Sequence, residues 1–266
     1  MRIKPLVGSI VMLQFILVAC RGITISHSSF SKSSASPLTK TDLQESELTG
    51  FDEQGNKLIF QIRDVELDPL DPQKETYLYT IFFRDVDQTW KNLCKPDIHN
   101  VAKAIVLKGF WNAKGAYQGG EKQVTLSCTN GALGKCVRFG YKPWKTLNKR
   151  SLRDFHQSCV RMVRADYCGD GIGHTKDGTP INIYDSLGIQ KPDTANDMSF
   201  EAAWGVNGAY CINHVRWPEG LSYVQRVCPE RLASTLKGGN HCTTSEQAHK
   251  YFPQALLFND SIVRKS

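Results

Sequence analysis

The 266-residue chain has no uninterrupted apolar run long enough to cross a bilayer as a helix. The longest, Pro5 to Ala19, is about 15 residues against the roughly 17–25 required. It has no CxxC pair of the kind that opens a zinc ribbon. It also lacks a G-x-S-x-G elbow, a phosphate-binding P-loop, an H-E-x-x-H zinc helix and a dinucleotide fingerprint, which argues against the commonest cofactor enzymes. No acidic residue occurs between Arg21 and Thr41, where seven serines do, and no internal repeat is evident. At 41% hydrophobic and 22% charged residues the chain is globular in composition and long enough to bury a core.

The ends of the apolar run carry meaning. Arg2 and Lys4 precede it and Leu17-Val18-Ala19-Cys20 closes it, so residues 1–19 read as a secretory signal peptide. The closing tetrapeptide is similar to the lipobox of bacterial lipoproteins. That likeness implies cleavage before Cys20, lipidation of its thiol and a stable membrane anchor, with the outer membrane favoured because Arg21 is not an aspartate. Residues 20–41 then read as a lipidated cysteine with a Ser-rich tether, of r.m.s. reach about 25 Å as a random coil. Eight further cysteines remain at 94, 128, 136, 159, 168, 211, 228 and 242. An even set in an oxidising compartment implies up to four disulfides. Of the short pairings, Cys128 with Cys136 is the best placed, and a zinc site is the rival reading.

Removing Arg2 and Lys4 lowers the formal charge from +7 to +5, and the excess is local. The basic stretch includes Lys142, Lys145, Lys149, Arg150, Arg153 and Arg161, interleaved with Phe139, Tyr141, Trp144 and Phe155. It suggests a docking face for an anionic envelope polymer or an acidic protein partner, with nucleic acid not expected. Tyr141 and Trp144 as core residues beneath a solvated surface is the competing reading.

Short apolar segments separated by turn signals predict strands at 57–62, 76–83, 101–107, 123–128 and 208–217, entry into a strand at Pro180–Asp185, and a last strand at 255–258. The prolines at 69 and 72 predict a loop. One amphipathic helix is predicted at 151–164, with Ser151 and Asp154 as a capping box and Leu152, Phe155, Cys159, Met162 and Val163 on one face. A disulfide through Cys159 would pin it. A shorter helix is expected at 244–251. The organisation expected is a β-rich part at 42–89 followed by a cysteine-rich domain at 90–262, in a β-rich, disulfide-stabilised α+β protein.

Asp166, Asp170, Gly171 and Asp177 fall at positions 1, 5, 6 and 12 of an EF-hand-like loop, but Cys168 at position 3 and an aspartate at position 12 depart from that pattern. Calcium is the cofactor this loop could take; ordinary Asp-Gly turn chemistry is the alternative. His156 and His174 with Asp166, Asp170 and Asp185 are the residue types of general acid–base catalysis.

GALGKCVRFGYKPW, HQSCVRMVRADYCGDG, HTKDGTPINIYD, FEAAWGVNGAYCINHVRW, CPERL and LLFNDS together resemble the ADYC domain. This cysteine-rich family of exported bacterial proteins is named for the tetrapeptide here formed by Ala165, Asp166, Tyr167 and Cys168. The resemblance implies export and no established catalytic residues. The reading is therefore a cell-envelope lipoprotein acting as a non-enzymatic binding or structural module. Its alternative is an exported hydrolase using the Asp166–Asp185 loop with His156 or His174.

Overall fold

A computed structural model describes residues 22–26, 47–52, 55–120, 123–193, 197–234 and 241–264. Residues 1–19, read from the sequence as a signal peptide, together with Cys20 and most of the Ser-rich stretch, lie outside these residues.

The first half is an antiparallel barrel. Its strands are β1 (Gly22–Ser26), β2 (Glu47–Phe51), β3 (Lys57–Leu67), β4 (Tyr77–Arg84), β5 (Trp90–Asn92), β6 (Ala104–Lys108) and β7 (Gln123–Cys128). They pair in the order β3-β2-β1-β7-β6-β4-β5, and the further β3–β4 pairing closes six of them into a ring, with β5 added to β4. Closure leaves the ring without the unpaired edges that invite association. The interior of so small a barrel is filled by side chains, here Phe60, Ile62, Ile81, Ala104 and Leu126 beside the Cys94–Cys128 disulfide. Two sequence expectations change. Residues 22–26, assigned to the tether, are a barrel strand paired along its length with β7. The boundary expected between residues 89 and 90 falls inside the barrel, between β4 and β5, which pair with each other.

One turn recurs through this half. Asp52, Asp71, Asp85, Asp97 and Asn112 each accept a backbone hydrogen bond from the residue three later, and that residue (Gly55, Lys74, Gln88, Asn100, Gly115) has positive φ. Asp or Asn leads because its side chain also caps the turn's amides, as Asp97 does for His99 and Val101. The left-handed fourth residue returns the chain to the next strand.

The second half carries α1 (Ala132–Arg138), a small hairpin of β8 (Thr146–Leu147) and β9 (Arg150–Ser151), α2 (Leu152–Arg164), β10 (Asn182–Asp185), β11 (Ser199–Gly205), β12 (Gly208–Ile212), α3 (Leu221–Val227), α4 (Ser245–Tyr251) and β13 (Leu257–Ser261). The second sheet is antiparallel in the order β10-β13-β11-β12. The predicted helix is α2. Ser151 caps it by accepting from the Arg153 amide, and Ala165 ends it in the left-handed conformation. Leu152, Phe155, Cys159, Val160 and Met162 are buried between the barrel wall (Leu78, Ile105, Leu107), α1 and the second sheet (Ala202, Trp204, Ile212). Full burial of each large apolar side chain contributes roughly 1.5–3 kcal/mol, which makes α2 the centre of the core.

All eight cysteines beyond Cys20 are paired, as 94–128, 136–159, 168–228 and 211–242. The expected Cys128–Cys136 pairing is wrong. Residues 132–138, where no helix was expected, are the helix α1, and this aims Cys136 at Cys159 on α2 while Cys128 stays in the barrel wall. Cys159 does pin α2, as anticipated. The pairing of Cys211 also removes it as a zinc ligand to His214, three residues on. No cluster of three or more metal-ligating side chains occurs among the described residues.

Candidate functional site

Directly after α2 the chain turns through Asp166, Tyr167 and Cys168, all bonded inward. The Asp166 carboxylate pairs with Arg161 of the preceding turn and accepts from the Gly171 amide at 3.0 Å. Burial pushes its carboxyl above the usual aspartate range, and the Arg161 guanidinium opposes that rise without cancelling it. Tyr167, wholly buried, donates to Glu201 at 2.9 Å and accepts from the Arg216 amide at 2.7 Å. Cys168 is bonded to Cys228 just past α3. The turn is pressed against the β11–β12 connection so closely that a Cβ on Gly169 would lie 2.0 Å from the Asn207 carbonyl oxygen.

Beneath Tyr167 lies a buried ion pair that sequence reading missed. Arg216 is 1% exposed and Glu201 0%. Arg216 donates to both Glu201 oxygens at 3.0 Å and to the Met162 and Val163 carbonyls at the end of α2. Asn259 of β13 donates to Glu201 at 2.9 Å and accepts from the Trp204 indole at 2.7 Å. Three elements, α2, β11 and β13, are thereby joined through one carboxylate. An outward-looking signal existed in the pattern Phe-Glu-Ala-Ala-Trp, where an acid interrupts an otherwise apolar strand.

The structure gathers only some of the acid–base candidates. His174 is half-buried between Tyr167, stacked at 6.1 Å, and Tyr223 at 4.8 Å. Burial lowers its pKa, although Asp170 and Asp166 pull the other way. Asp170 accepts from the Tyr223 hydroxyl at 2.7 Å; burial would raise its carboxyl, but this bond and the Ile172 amide leave it below the ordinary range. His156 is elsewhere: wholly buried in α2, edge-on to Trp111 and bonded to the Leu133 carbonyl, it is held by burial down at about 4. Asp185 caps its own turn and accepts from Tyr141 at 2.9 Å, and Asp177 is exposed on a turn. The EF-hand-like spacing therefore does not become an EF-hand loop. Asp166 is turned inward to Arg161, and although α2 stands before the loop, the helix required after it is replaced by the strand β10.

The basic stretch is largely internal too, which corrects two of its members. Lys142 is 4% exposed and its ammonium group holds Asp71 at 2.8 Å and Glu75 at 2.6 Å. Arg161 is buried on Asp166, and Arg138, a neighbour in the same stretch, bridges Asp68 and Asp97 at 2.7 and 2.6 Å. Lys145 shares Glu75 with Lys142. Asp71 is held far below the usual carboxylate range; burial opposes this, while Lys142 and the turn amides of Glu75 and Gln73 impose it. Lys149, Arg150 and Arg153 remain exposed, and among the described residues they form no ion pair. Trp144, entertained as core, is 47% exposed, whereas Tyr141 is buried.

These ion pairs bind the turn that follows β3 to the segment after α1, and between the two lies a cleft of about 440 Å3. Its walls include Leu70, Leu147 and Ile189, its floor Asp68, Asp71 and Arg138. Leu70 and Leu147 form its lips, 49% and 38% exposed. The volume lies within the roughly 300–1,000 Å3 of small-molecule pockets.

The architecture defines a disulfide-linked α+β protein of the kind made in oxidising compartments: a barrel, a central helix and a second sheet joined at an inward-bonded Asp-Tyr-Cys turn. The chain belongs to the ADYC domain family, whose model matches residues 40–218. The matched span therefore covers β2 to β7 and the Asp-Tyr-Cys turn but stops short of Cys228 and Cys242. No curated protein and no solved structure matches the chain.

Proposed function

We propose that this protein is a non-catalytic binding module of the bacterial cell envelope, lipidated on Cys20 and resident in the outer membrane. The observation that carries the non-catalytic reading is that Asp166, Tyr167 and Cys168 are each tied inward, Asp166 through one carboxylate oxygen while its other oxygen is buried without a hydrogen-bond partner. Asp166 meets Arg161 and the Gly171 amide, Tyr167 meets Glu201, and Cys168 meets Cys228. Groups so placed fix the end of α2 against the second sheet. The cleft beside Leu70 and Leu147, by contrast, is open and lined with both apolar walls and hydrogen-bonding groups. The hydrolase alternative rests on His174 with Asp170, and the packing of that imidazole between two tyrosines weighs against it.

Anchoring through Cys20 also acquires a geometry. Because β1 begins at Gly22, only Arg21 lies between Cys20 and the barrel, a span of at most about 7 Å between the Cα atoms of residues 20 and 22. The folded body would sit against the bilayer surface rather than about 25 Å away on a coil. Expression of the full chain with Cys20→Ser, followed by membrane fractionation and mass measurement, tests the anchor. Loss of the acyl mass with retention of the unprocessed precursor is expected. Wild-type processing and unchanged mass in the variant would end the lipoprotein reading.

A further inference from the structure

We propose that the barrel end bearing the start of β1 and the β4–β5 turn is the face this protein lays on the bilayer, with Val86 entering the headgroup layer and the cleft beside Leu70 turned away from it. This rests on the lipidation of Cys20 proposed above and names the surface that the anchor brings to the membrane.

Strand directions fix the two ends. β1, β3 and β5 run one way and β2 and β4 the other, so the start of β1 shares one end of the barrel with the β2–β3 and β4–β5 turns. The β3–β4 turn, which carries Leu70 and one wall of the cleft, lies at the other end. Thr24 pairs with Phe51 and Phe51 with Lys57, and the β3–β4 register, with Phe60 opposite Phe83, sets Lys57 level with Val86. Val86 is thus three strand spacings, about 15 Å, from β1 along one row. With only Arg21 between Cys20 and β1, an acyl chain on Cys20 holds that row at the bilayer surface. β3 is eleven residues long, which carries the cleft up to about 35 Å from it.

The side chains at this end suit a lipid boundary. Val86 is 94% exposed at the tip of a turn whose charges are already answered, Asp85 and Asp87 sharing Lys91. Phe51 lies partly exposed on the same row. Trp90 pairs across β4–β5 with Arg84, whose guanidinium stands 4.8 Å over the indole and also meets Glu47. An aromatic ring with one apolar side and one polar edge is the type enriched where hydrocarbon meets water. The apolar tip, rather than net charge, therefore makes the contact. Ile98 provides a matched control. It is 91% exposed and holds the same position of an Asp-led turn, but Arg138 ties that turn through Asp97 to Asp68 at the cleft end.

The test uses the acylated full chain carrying Val86→Cys, Ile98→Cys or Leu70→Cys. Each new thiol is labelled with a fluorophore, and the protein is bound to phosphatidylcholine vesicles with and without a headgroup-nitroxide lipid. A label at position 86, seated within roughly 5–10 Å of the acyl boundary, should lose about half of its emission or more to the nitroxide, and labels at 98 and 70 should lose little. Quenching at 86 should persist at high salt, where contacts made by exposed charges are screened. Equal quenching at 86 and 98, stronger quenching at 70, or loss of the effect in salt would each overturn the orientation. If an added thiol disturbs the native disulfides, Val86→Trp, compared with wild type in brominated lipid, replaces it. Acyl mass and flotation are read on the same samples. An acylated, floating chain unquenched at 86 overturns this assignment alone, whereas a chain without acyl mass overturns the anchor as well.

Discussion

Replacing Glu201 by alanine leaves Arg216, 1% exposed, with its charge uncompensated at the junction of α2, β11 and β13. Removing one partner of a buried pair costs about 3–5 kcal/mol, because the remaining ion keeps its desolvation penalty and loses its counter-charge. For a folded body of this size, about 2–4 °C per kcal/mol, the melting midpoint of the disulfide-intact chain should fall by about 6–20 °C. The double variant Glu201→Met/Arg216→Met removes more hydrogen bonds but no longer buries a lone charge, and it should be the more stable of the two. A Glu201→Gln variant adds the pH arm. Burial tends to raise the Glu201 carboxyl, yet Arg216 and the neighbouring donors leave it below the ordinary glutamate range. The stability it contributes is thus present above the unfolded-state pKa and is lost as pH falls through the depressed folded value. The gap between wild type and Glu201→Gln should therefore narrow on acidification. Thermal melts across pH decide this. A Glu201→Ala cost below about 1 kcal/mol, or a double variant weaker than the single, would refute the view that this pair acts as a closed unit.

His156, held down at about 4 by burial, makes the fold bind fewer protons than the unfolded chain. Stability should decline from about pH 6.5 toward 4, and less steeply in His156→Gln, as followed by denaturant titration. Gly169→Ala, whose Cβ would meet the Asn207 carbonyl at 2.0 Å from a φ of +75°, should prevent accumulation of the oxidised protein, measured by thiol alkylation and yield. By the same logic reversed, Gln88→Gly at φ +64° should raise stability by about 0.5 kcal/mol, since relief of left-handed strain exceeds the added backbone entropy; a decrease in the chemical-denaturation midpoint would contradict it.

The parts that were legible in the sequence are those whose determinants are local. Ser151 followed by apolar residues at 152, 155, 159 and 162 contains the cap and the buried face of α2 within one segment, and Gln123–Cys128 is bounded as read. Residues 132–138 escaped because Gly131 and Gly134 look like turn punctuation. Gly134 is in fact a packing glycine, where a Cβ would sit 2.4 Å from the Cys128 carbonyl oxygen. With α1 hidden, the nearest cysteine looked like the partner. Lys142 escaped for a different reason. A lysine amid lysines reads as solvated surface, and its partners Asp71 and Glu75 lie about seventy positions upstream, a distance over which periodicity is silent. The acids at 68, 71 and 75 stand in and just after the loop read from its prolines, and only the fold places them opposite the basic stretch. Of the Asp166–Asp185 loop the sequence showed the ingredients; which of them face inward depends on the end of α2.

Ring closure imposes an order of events on the growing structure. β1 meets β2 at a single residue pair, Thr24 with Phe51, while its full-length neighbour β7 lies roughly a hundred residues later, so most of β1 stays unpaired until the chain is nearly half made. Until then β2, β3 and β4 can form a meander through sequential hairpins, leaving the interior of the barrel open along one seam. The final docking of β7 seals that seam and brings Cys128 to Cys94 in the same movement. An oxidant that acts before closure would find Cys94 unpaired, and one that acts after it would lock a completed ring.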